Sequence, residues 1–493
     1  MTRGSGKERE HELIRDHEED DELTLEEFQE SLRGCNDVNS YSVPAGENRR
    51  VTAHLFYCDG MVDNQQFHLG LLPQLKRWSD ESAPLSESDG EESERTVDLF
   101  MRIKNGPDNR HLYARLFAGS VVIAFSARPG FYEYDIADQP GRQPEESTME
   151  LSLKGPRDGF VEQLAINLAL VRKRLRTPHL HVEYRKLGTE SQTEIALLYM
   201  AGQAKPELVE ETRRRLEAVR VPALHGAGEL EDLLADHPYA LFPQLDYIGR
   251  PDYVVQSLMN GRVAVIVDGT PAALIAPGNL TLLIKSPEDA HLPYYFVALE
   301  RILRILGLIL SLCLPGFWIA LSSYNTDQLP FSLLATVTIS RIGLPMSATM
   351  EMFLMLTLFE VFREAGVRLP RPVGQTVSVV GGLIVGDAAI RAGLSSPTML
   401  VVAAVSAVAT FTLVNQSLNG SVTIIRYGIL LTSSLLGVFG FFVGVFAVII
   451  YLSSMESFGR SYLEPLAPIK PRRLVTALLQ KPWALRKGRR GRP

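Results

Sequence analysis

The sequence changes character near residue 300, and this change constrains the fold more than any other feature. Up to about Leu292 charged and apolar residues are mixed, whereas long apolar runs dominate from Ile305 to Leu452. A bilayer crossing needs about 20 apolar residues, so the second part is long enough for several crossings. We therefore expect a soluble part followed by an all-α, polytopic transmembrane domain.

Five apolar segments are candidates for entering the membrane: Ile302 to Ser322, Phe331 to Phe362, Val373 to Ile390, Pro397 to Val414 and Tyr427 to Leu452. The tail after them is strongly basic, and the N-terminus lacks the apolar core of a signal peptide. Since basic residues stay on the cytoplasmic side, both termini are expected there, with an even number of crossings, about four. One segment is then broken or re-entrant, and the glycine-rich segment around Gly381 and Gly382 is the candidate.

The soluble part contains an internal repeat with a constant offset. VTAHLFYCDG begins at Val51 and TEIALLYMAG at Thr193, while AGSVVIAFSARP begins at Ala118 and NGRVAVIVDGTP at Asn260. Both pairs give an offset of 142 residues (193 − 51 and 260 − 118). Each copy alternates short apolar strands with helices, so we expect two similar cytoplasmic α/β subdomains in tandem, each a small mixed sheet with packed helices.

A bridging helix is predicted between the two copies, from Phe160 to Leu175, where apolar residues recur at helical spacing. Asp158 precedes it and is expected to cap its start. Arg172 is one of several cations near its end, where they suit the helix dipole.

These features predict five regions: a disordered acidic arm (1–50), a first subdomain (51–150), a second subdomain with the bridging helix (151–293), a transmembrane domain (294–457) and a basic cytoplasmic tail (458–493).

No catalytic constellation is present in the sequence, which lacks G-x-x-x-x-G-K-[ST], H-E-x-x-H and C-x-x-C. The three cysteines, Cys35, Cys58 and Cys313, are far apart and show neither disulfide nor metal spacing. We therefore expect no enzyme activity, no metal or other cofactor, and no nucleic-acid partner.

Residues Asp268, Gly269, Thr270 and Pro271 have two interpretations. They could bind a phosphate or carboxylate, or they could form a tight turn between two strands, for which Asp and Gly are suited. We favour the turn.

Residues Gly155, Pro156 and Arg157 precede the bridging helix and have two interpretations as well. A helix start can hold an anion, but a linker with a helix cap is the commoner use and the one we favour. An interface contact through Arg157 is the best functional alternative.

Three acids in the apolar part, Glu351, Glu360 and Asp387, are candidates for an ion path. A carboxylate deep in lipid costs roughly 3 kcal/mol, so such groups usually face a cavity or a partner. Arg363, Arg368 and Arg391 are candidate partners, and for Glu360 a surface pair with Arg363 is the simpler interpretation. Gly381 and Gly382 could instead allow close helix packing.

Four stretches, in the same order, resemble the GerA family of spore germination proteins: GPRDGFVEQLAINLALVRKRL, GRVAVIVDGTPAALIAP, REAGVRLPRPVGQTVSVVGGLIVGDAAIRAGLSSPTM and SFGRSYLEPLAP. The resemblance covers about Val51 to Pro468. It departs at the acidic arm, at the acidic stretch from Ser79 to Arg95, and at the polar stretch from Asn415 to Val422.

The resemblance implies the A subunit of a nutrient germinant receptor in the spore inner membrane. Its partners would be a permease-like B subunit, a lipoprotein C subunit, further A subunits and membrane lipid. It also implies that A-subunit oligomers transduce nutrient sensing into germination through a ligand-gated ion path. A secondary transporter and a membrane scaffold are the alternatives.

Overall fold

A computed structural model describes residues 23–45, 51–77, 101–103, 110–126, 130–138, 154–368 and 386–467. The chain divides into two compact units. The first comprises Met1–Leu151, Pro156–Leu230 and Ile248–Ile275, and the second comprises Ser152–Gly155, Glu231–Tyr247 and Ala276–Pro493.

The first unit is built on two five-stranded sheets. One sheet contains β1 (Val38–Ala45), β2 (Val51–Cys58), β3 (Met101–Arg102), β4 (Ser120–Phe125) and β5 (Phe131–Asp135). Since β1 and the helix Leu25–Ser31 lie inside the arm expected at 1–50, the prediction of disorder is wrong for these residues, which pack on the first sheet. The other contains β6 (Leu180–Leu187), β7 (Thr193–Met200), β8 (Asp246–Ile248), β9 (Val263–Val267) and β10 (Ala273–Ala276). The division between the two units falls within β8.

Both sheets have the same strand order, which confirms the repeat predicted from the constant offset. The orders are β1-β2-β4-β5-β3 and β6-β7-β9-β10-β8. All neighbouring strands of the first sheet are antiparallel, so the expectation of a mixed sheet is wrong there. The register is conserved too: Val38 pairs with Cys58 in the first sheet, and Leu180 pairs with Met200, each 142 residues later, in the second. The central strands β4 and β9 are buried along their whole length, so each sheet carries helices that cover it.

Helices of the first unit are Leu25–Ser31, Asn64–Gln66 with its continuation Phe67–Leu71 and Leu72–Arg77, Arg110–Leu116, Leu164–Arg172, Pro206–Ala218, Ala227–Leu234 and Pro251–Met259. The last residues of Ala227–Leu234 fall in the second unit. The bridging helix, predicted from Phe160 to Leu175, is shorter and comprises Leu164–Arg172.

The second unit is mainly helical. Its helices are Leu280–Leu283, Tyr294–Ile319 (the leading helix), Phe331–Ser340, Ala348–Arg368 (the middle helix), Pro397–Thr410 and Gln416–Ser454. Shorter turns are Pro287–Ala290, Ala320–Tyr324 and Thr326–Gln328, and a small hairpin pairs Glu456–Ser457 with Arg460–Ser461. The apolar segment from Phe331 to Phe362 is thus two helices separated by a loop.

The helix Gln416–Ser454 turns back on itself at Gly437, whose φ of 63° and ψ of −140° are not helical. A Cβ added at Gly444 would lie 3.4 Å from the Ile429 Cα. In a straight helix these residues would be about 22 Å apart, so the two halves pack antiparallel. We call Gln416–Ser454 the terminal hairpin.

Two helices of the described residues are long and apolar enough to cross a membrane: Tyr294–Tyr324, which extends the leading helix, and Ser417–Ser454 in the terminal hairpin. Phe331–Ser340 and Pro397–Thr410 are apolar but shorter. The leading helix packs closely on both of its main neighbours through small residues. Gly307 meets Thr412, Ser406 Oγ donates to Ser311 O at 3.1 Å, and Gly316 meets Ile429.

Candidate functional site

Glu351, the first candidate of the ion path, is completely buried near the start of the middle helix. Its Oε1 lies 3.3 Å from Arg341 Nη2. Its Oε2 accepts hydrogen bonds from the Ser396 backbone N (3.0 Å) and Ser396 Oγ (3.2 Å). Ser396 is the N-cap of Pro397–Thr410, so a negative charge here also suits the helix dipole.

Glu360, the second candidate, is shared by two arginines. Arg363 Nη2 donates to Glu360 Oε1, which is the predicted i, i+3 pair. Arg426 Nη2 donates to Glu360 Oε2 at 3.4 Å. Glu360 therefore forms two ion pairs. The pair with Arg363 is local to the middle helix, and the pair with Arg426, which is only 1% exposed, joins the middle helix to the terminal hairpin.

Arg426 was missed by the sequence analysis, which began the last apolar segment at Tyr427. Its guanidinium lies 5.8 Å from the Tyr427 ring centre, and the Tyr427 ring stacks on Phe353. A single arginine next to a long apolar run could have indicated this residue, because such a charge rarely faces lipid and usually has a partner inside the protein.

Asp387, the third candidate, differs from the other two because its side chain is 58% exposed. It forms an i, i+4 ion pair with Arg391, whose side chain is 79% exposed, at 2.8 Å. Gly381 and Gly382 lie outside the described residues.

The three acids do not form one cluster. Glu351 and Glu360 lie nine residues apart on the middle helix, about 13 Å along its axis, and have separate partners. Among the described residues, no group of three or more His, Cys, Asp or Glu side chains could hold a metal ion. Glu351 and Glu360 are thus paired charges, and their part in an ion path stays a prediction.

Residues Asp268 to Pro271 form the tight turn favoured from the sequence, between β9 and β10, with Gly269 at a φ of 80°. Asp268 Oδ1 accepts from Leu164 N at 3.0 Å, and Thr270 Oγ1 accepts from Ala227 N at 3.2 Å. The turn therefore holds the first residues of two helices, which a sequence pattern alone does not reveal.

Asp158 does not cap the bridging helix, contrary to the prediction. The helix begins at Leu164 with Gln163 at the N-cap position, so Asp158 is five residues too early and Asp268 supplies the acceptor instead. Asp158 accepts two hydrogen bonds of 2.6 Å from Arg174. Burial alone would raise the pKa of Asp158, but the Arg174 guanidinium outweighs it and holds that pKa below its usual range.

Gly155 and its neighbour Lys154 direct backbone N–H groups at an anion from the same chain. Glu288 Oε2 accepts from Lys154 N at 3.0 Å and from Gly155 N at 3.4 Å. Pro156 is half-buried and Arg157 is exposed. The anion at this stretch is thus a carboxylate of the same chain, Glu288. An interface contact through Arg157 stays a prediction.

A junction at one end of the terminal hairpin was not foreseen. Asn415 caps the hairpin by accepting from Leu418 N, and its Nδ2 donates to Asp246 Oδ1 of β8 at 2.8 Å. Near the last residues of the hairpin, Tyr451 Oη accepts from Leu241 N at 2.8 Å. One short segment, 241–246, therefore contacts both ends of the hairpin.

The stretch SFGRSYLEPLAP is hydrogen-bonded to residues in and just before segment 241–246. Ser457 Oγ donates to Gln244 O at 2.7 Å, and Phe458 N donates to Asp236 Oδ2 at 2.9 Å. Tyr462 is fully buried, and burial raises the pKa of its hydroxyl. The last described residues are thus part of the junction.

Comparison with known proteins gives matches along nearly the whole chain. Spore germination protein XA of Bacillus anthracis is 38% identical over 442 residues, 89% of this chain and 89% of that protein. Spore germination protein KA of Bacillus subtilis (strain 168) is 33% identical over 462 residues, 93% of this chain and 84% of that protein.

Among solved structures, the crystal structure of the N-terminal domain of the A subunit of the Bacillus megaterium spore germinant receptor GerK3 is 26% identical. It aligns with a TM-score of 0.37, over 52% of this chain and 95% of that chain. The family described as Bacillus/Clostridium GerA spore germination protein matches residues 26–491. The chain belongs to the GerA family of spore germination proteins.

Proposed function

We propose that this chain is the A subunit of a nutrient germinant receptor in the inner membrane of the dormant spore. The observation that carries this proposal is the family match over residues 26–491, which spans both units. A germination protein of Bacillus anthracis shares 38% of its residues over 89% of both chains. The chain's role is to transduce nutrient sensing into germination.

The helical unit is a polytopic transmembrane domain with an even number of crossings. Leu280 N donates to Tyr462 O at 3.1 Å, and Asn279 Nδ2 donates to Glu464 O at 3.0 Å. The chain thus approaches the leading helix and leaves the terminal hairpin at the same end of the helical unit. This supports placing both termini in the cytoplasm, with the boundaries expected at 294–457 for the transmembrane domain.

Transduction runs through the junction around segment 241–246. Asp246 bonds the N-cap Asn415, and Leu241 N bonds Tyr451 near the last residues of the hairpin, which the reversal at Gly437 brings back to the same end. A displacement of segment 241–246 therefore pulls on the terminal hairpin through both hydrogen bonds. The hairpin in turn holds Arg426 against Glu360.

The partners are a permease-like B subunit, a lipoprotein C subunit and further copies of the A subunit. Glu351 and Glu360 are the acids that take part in an ion path formed by these copies, because both are paired inside the helical unit. Asp387, which is exposed, is the weaker candidate. A change of partner by Glu360 or Glu351 would expose a carboxylate to the path.

Deletion of the gene, with complementation, tests this function. Spores of the deletion strain are expected to lose germination and ion release with some nutrients of a panel, while keeping heat resistance and the response to other nutrients. Complementation by the parent gene restores the response. Parental germination with every nutrient would contradict the proposal.

Two further measurements separate the alternatives. A transporter would exchange substrate across liposomes that contain this chain alone. If the chain is only a scaffold, its deletion lowers the amounts of the B and C subunits without changing ion release per remaining receptor.

A further inference from the structure

In the loop His237 to Phe242, with the sequence HPYALF, the side chains alternate between outward and inward from Tyr239 onward. Phe242 is buried in a core cluster with Leu418, Met455 and Tyr462, and Ala240 packs against the same cluster. Tyr239 and Leu241 point the other way and are 94% and 43% exposed. Single exposed apolar side chains are common on protein surfaces, so what distinguishes Tyr239 and Leu241 is their place beside the terminal hairpin.

This loop is fixed beside one end of the terminal hairpin. Leu241 N donates to Tyr451 Oη at 2.8 Å, and the Phe242 ring centre lies 6.4 Å from that of Tyr451. The hairpin ends three residues later, at Ser454. Ile449 and Ile450, which directly precede Tyr451, are 49% and 68% exposed. The loop therefore lies within about one helical turn of side chains that face lipid if the hairpin spans the membrane.

We infer that Tyr239 and Leu241 insert into the interfacial layer of the lipid bilayer next to the terminal hairpin. This inference rests on the proposed membrane-spanning role of the hairpin. Tyrosine is suited to the layer because its ring is apolar and its hydroxyl remains hydrated, which is why aromatic residues are enriched there. Exposed aromatic residues also begin the leading helix, where Tyr294 and Tyr295 are 47% and 66% exposed.

The chemistry of the loop indicates apolar rather than electrostatic binding. His237 is its only residue that can carry a charge near neutral pH. Binding to anionic lipid headgroups needs clustered Lys or Arg side chains, which HPYALF lacks. Insertion is thus expected in zwitterionic bilayers and at high salt. Because segment 241–246 also holds both ends of the hairpin, the bilayer surface would fix the position of the junction.

Tryptophan fluorescence with brominated lipids tests the inference on the full chain in phosphatidylcholine bilayers. Three variants are compared with the parent, whose own tryptophans contribute a constant background: Tyr239→Trp, Ile450→Trp and Tyr41→Trp. Tyr239 and Tyr41 are both exposed, but Tyr41 lies on β1 of the first sheet. Added emission from Tyr239→Trp should be quenched, more by bromine near the headgroup end of the acyl chain than by bromine near its methyl end.

The two controls make a failure interpretable. Ile450→Trp should be quenched and Tyr41→Trp should not. Quenching of Ile450→Trp without quenching of Tyr239→Trp overturns the inference but not the membrane-spanning role of the hairpin. The same holds if the unquenched emission of Tyr239→Trp is blue-shifted, which indicates that protein covers this position. Absence of quenching at Ile450→Trp overturns the membrane-spanning role of the hairpin, and the inference with it. Loss of quenching of Tyr239→Trp at high salt overturns the apolar mode of binding.

Discussion

Arg172 and Asp37 form a fully buried, two-point ion pair between the bridging helix and the first repeat. Arg172 Nε donates to Asp37 Oδ2 at 2.5 Å and Nη2 donates to Oδ1 at 2.7 Å. The guanidinium also donates to the carbonyls of Thr177 and Leu180 and lies 4.2 Å from the Phe117 ring centre. Burial alone would lower the pKa of Arg172, but Asp37 more than compensates and raises it.

Replacing Asp37 is expected to destabilise the protein strongly. Asp37→Ala leaves the Arg172 guanidinium buried without its carboxylate, which costs about 3 to 5 kcal/mol. The measurement is thermal unfolding of the full chain in detergent. Arg33→Ala is the matched control, because its pair with Glu30 is exposed (side chains 80% and 71%) and contributes less than about 1 kcal/mol. Equal unfolding temperatures for both variants would contradict the role of the Arg172 pair.

Glu231 predicts a pH dependence of stability. Burial raises the pKa of this carboxyl to about 7, with a further contribution from Asp232 and Asp246. In the unfolded chain it ionises near its ordinary value of 4.5. Between these values the native state keeps a proton that the unfolded state has lost. The native state is therefore destabilised progressively as the pH rises from about 4.5 to about 7.

Glu231→Gln removes this cost and is expected to stabilise the protein by about 2 to 3 kcal/mol near pH 8, with little effect near pH 4.5. Unfolding temperatures of parent and variant across this pH range measure the difference. Glu190→Gln, which alters an exposed carboxyl, should follow the parent. A Glu231→Gln difference that does not change with pH would argue against this assignment.

Glu351→Gln and Asp387→Asn are expected to differ, although both remove one acid of the helical unit. Glu351→Gln keeps the acceptor for Ser396 but loses the charge facing Arg341, so it should lower stability by about 1 to 3 kcal/mol. Asp387→Asn affects an exposed pair and should change stability by less than about 1 kcal/mol.

Nutrient-triggered ion release from spores that carry each variant shows whether these acids act in the path. We expect altered release for Glu351→Gln at normal subunit levels, and nearly parental release for Asp387→Asn. Parental release from both variants would mean that neither acid carries the mechanism.

The repeat was predictable because strand pairing preserves spacing. Val51 and Thr193 begin strands with the same offset in the sequence and in the two sheets. The partners of charged residues were not predictable in this way. Arg172 has the spacing of a cation that suits a helix dipole, and only the fold shows that Asp37, 135 residues away, meets it. Contacts of that range depend on how the repeats pack, which local pattern does not encode.

The helical unit shows a second limit of sequence patterns. An apolar run predicts that a segment is buried in lipid or protein, but it does not show where the helix reverses. Gly437 is one of several glycines in its segment, and its φ of 63° becomes visible only in the folded chain. Arg426 likewise falls just outside the apolar segment predicted from Tyr427, because a charged residue marks the boundary of an apolar run.

The reversal at Gly437 gives the last prediction. A Cβ at this position would lie 2.9 Å from both Asn325 Oδ1 and Tyr324 Cβ, and its backbone conformation is essentially restricted to glycine, at a cost of about 1 to 3 kcal/mol for other residues. Gly437→Ala should therefore lower the unfolding temperature of the full chain. Gly428→Ala is the control, because nothing lies within 4 Å of its added Cβ and its φ is not positive. It should stabilise the helix by up to about 1 kcal/mol.

A cross-link tests the reversal itself. With Cys313 replaced by alanine, oxidation of the double variant Ile429→Cys and Gly444→Cys should form a disulfide, because an added Cβ at Gly444 lies 3.4 Å from the Ile429 Cα. Thiol labelling after oxidation then detects neither engineered cysteine. The same labelling after Ile429→Cys and Gly428→Cys, adjacent on one helix, should still detect both. If the first pair also stays reactive, the close antiparallel packing of the two halves is contradicted, and the even count of crossings loses this support.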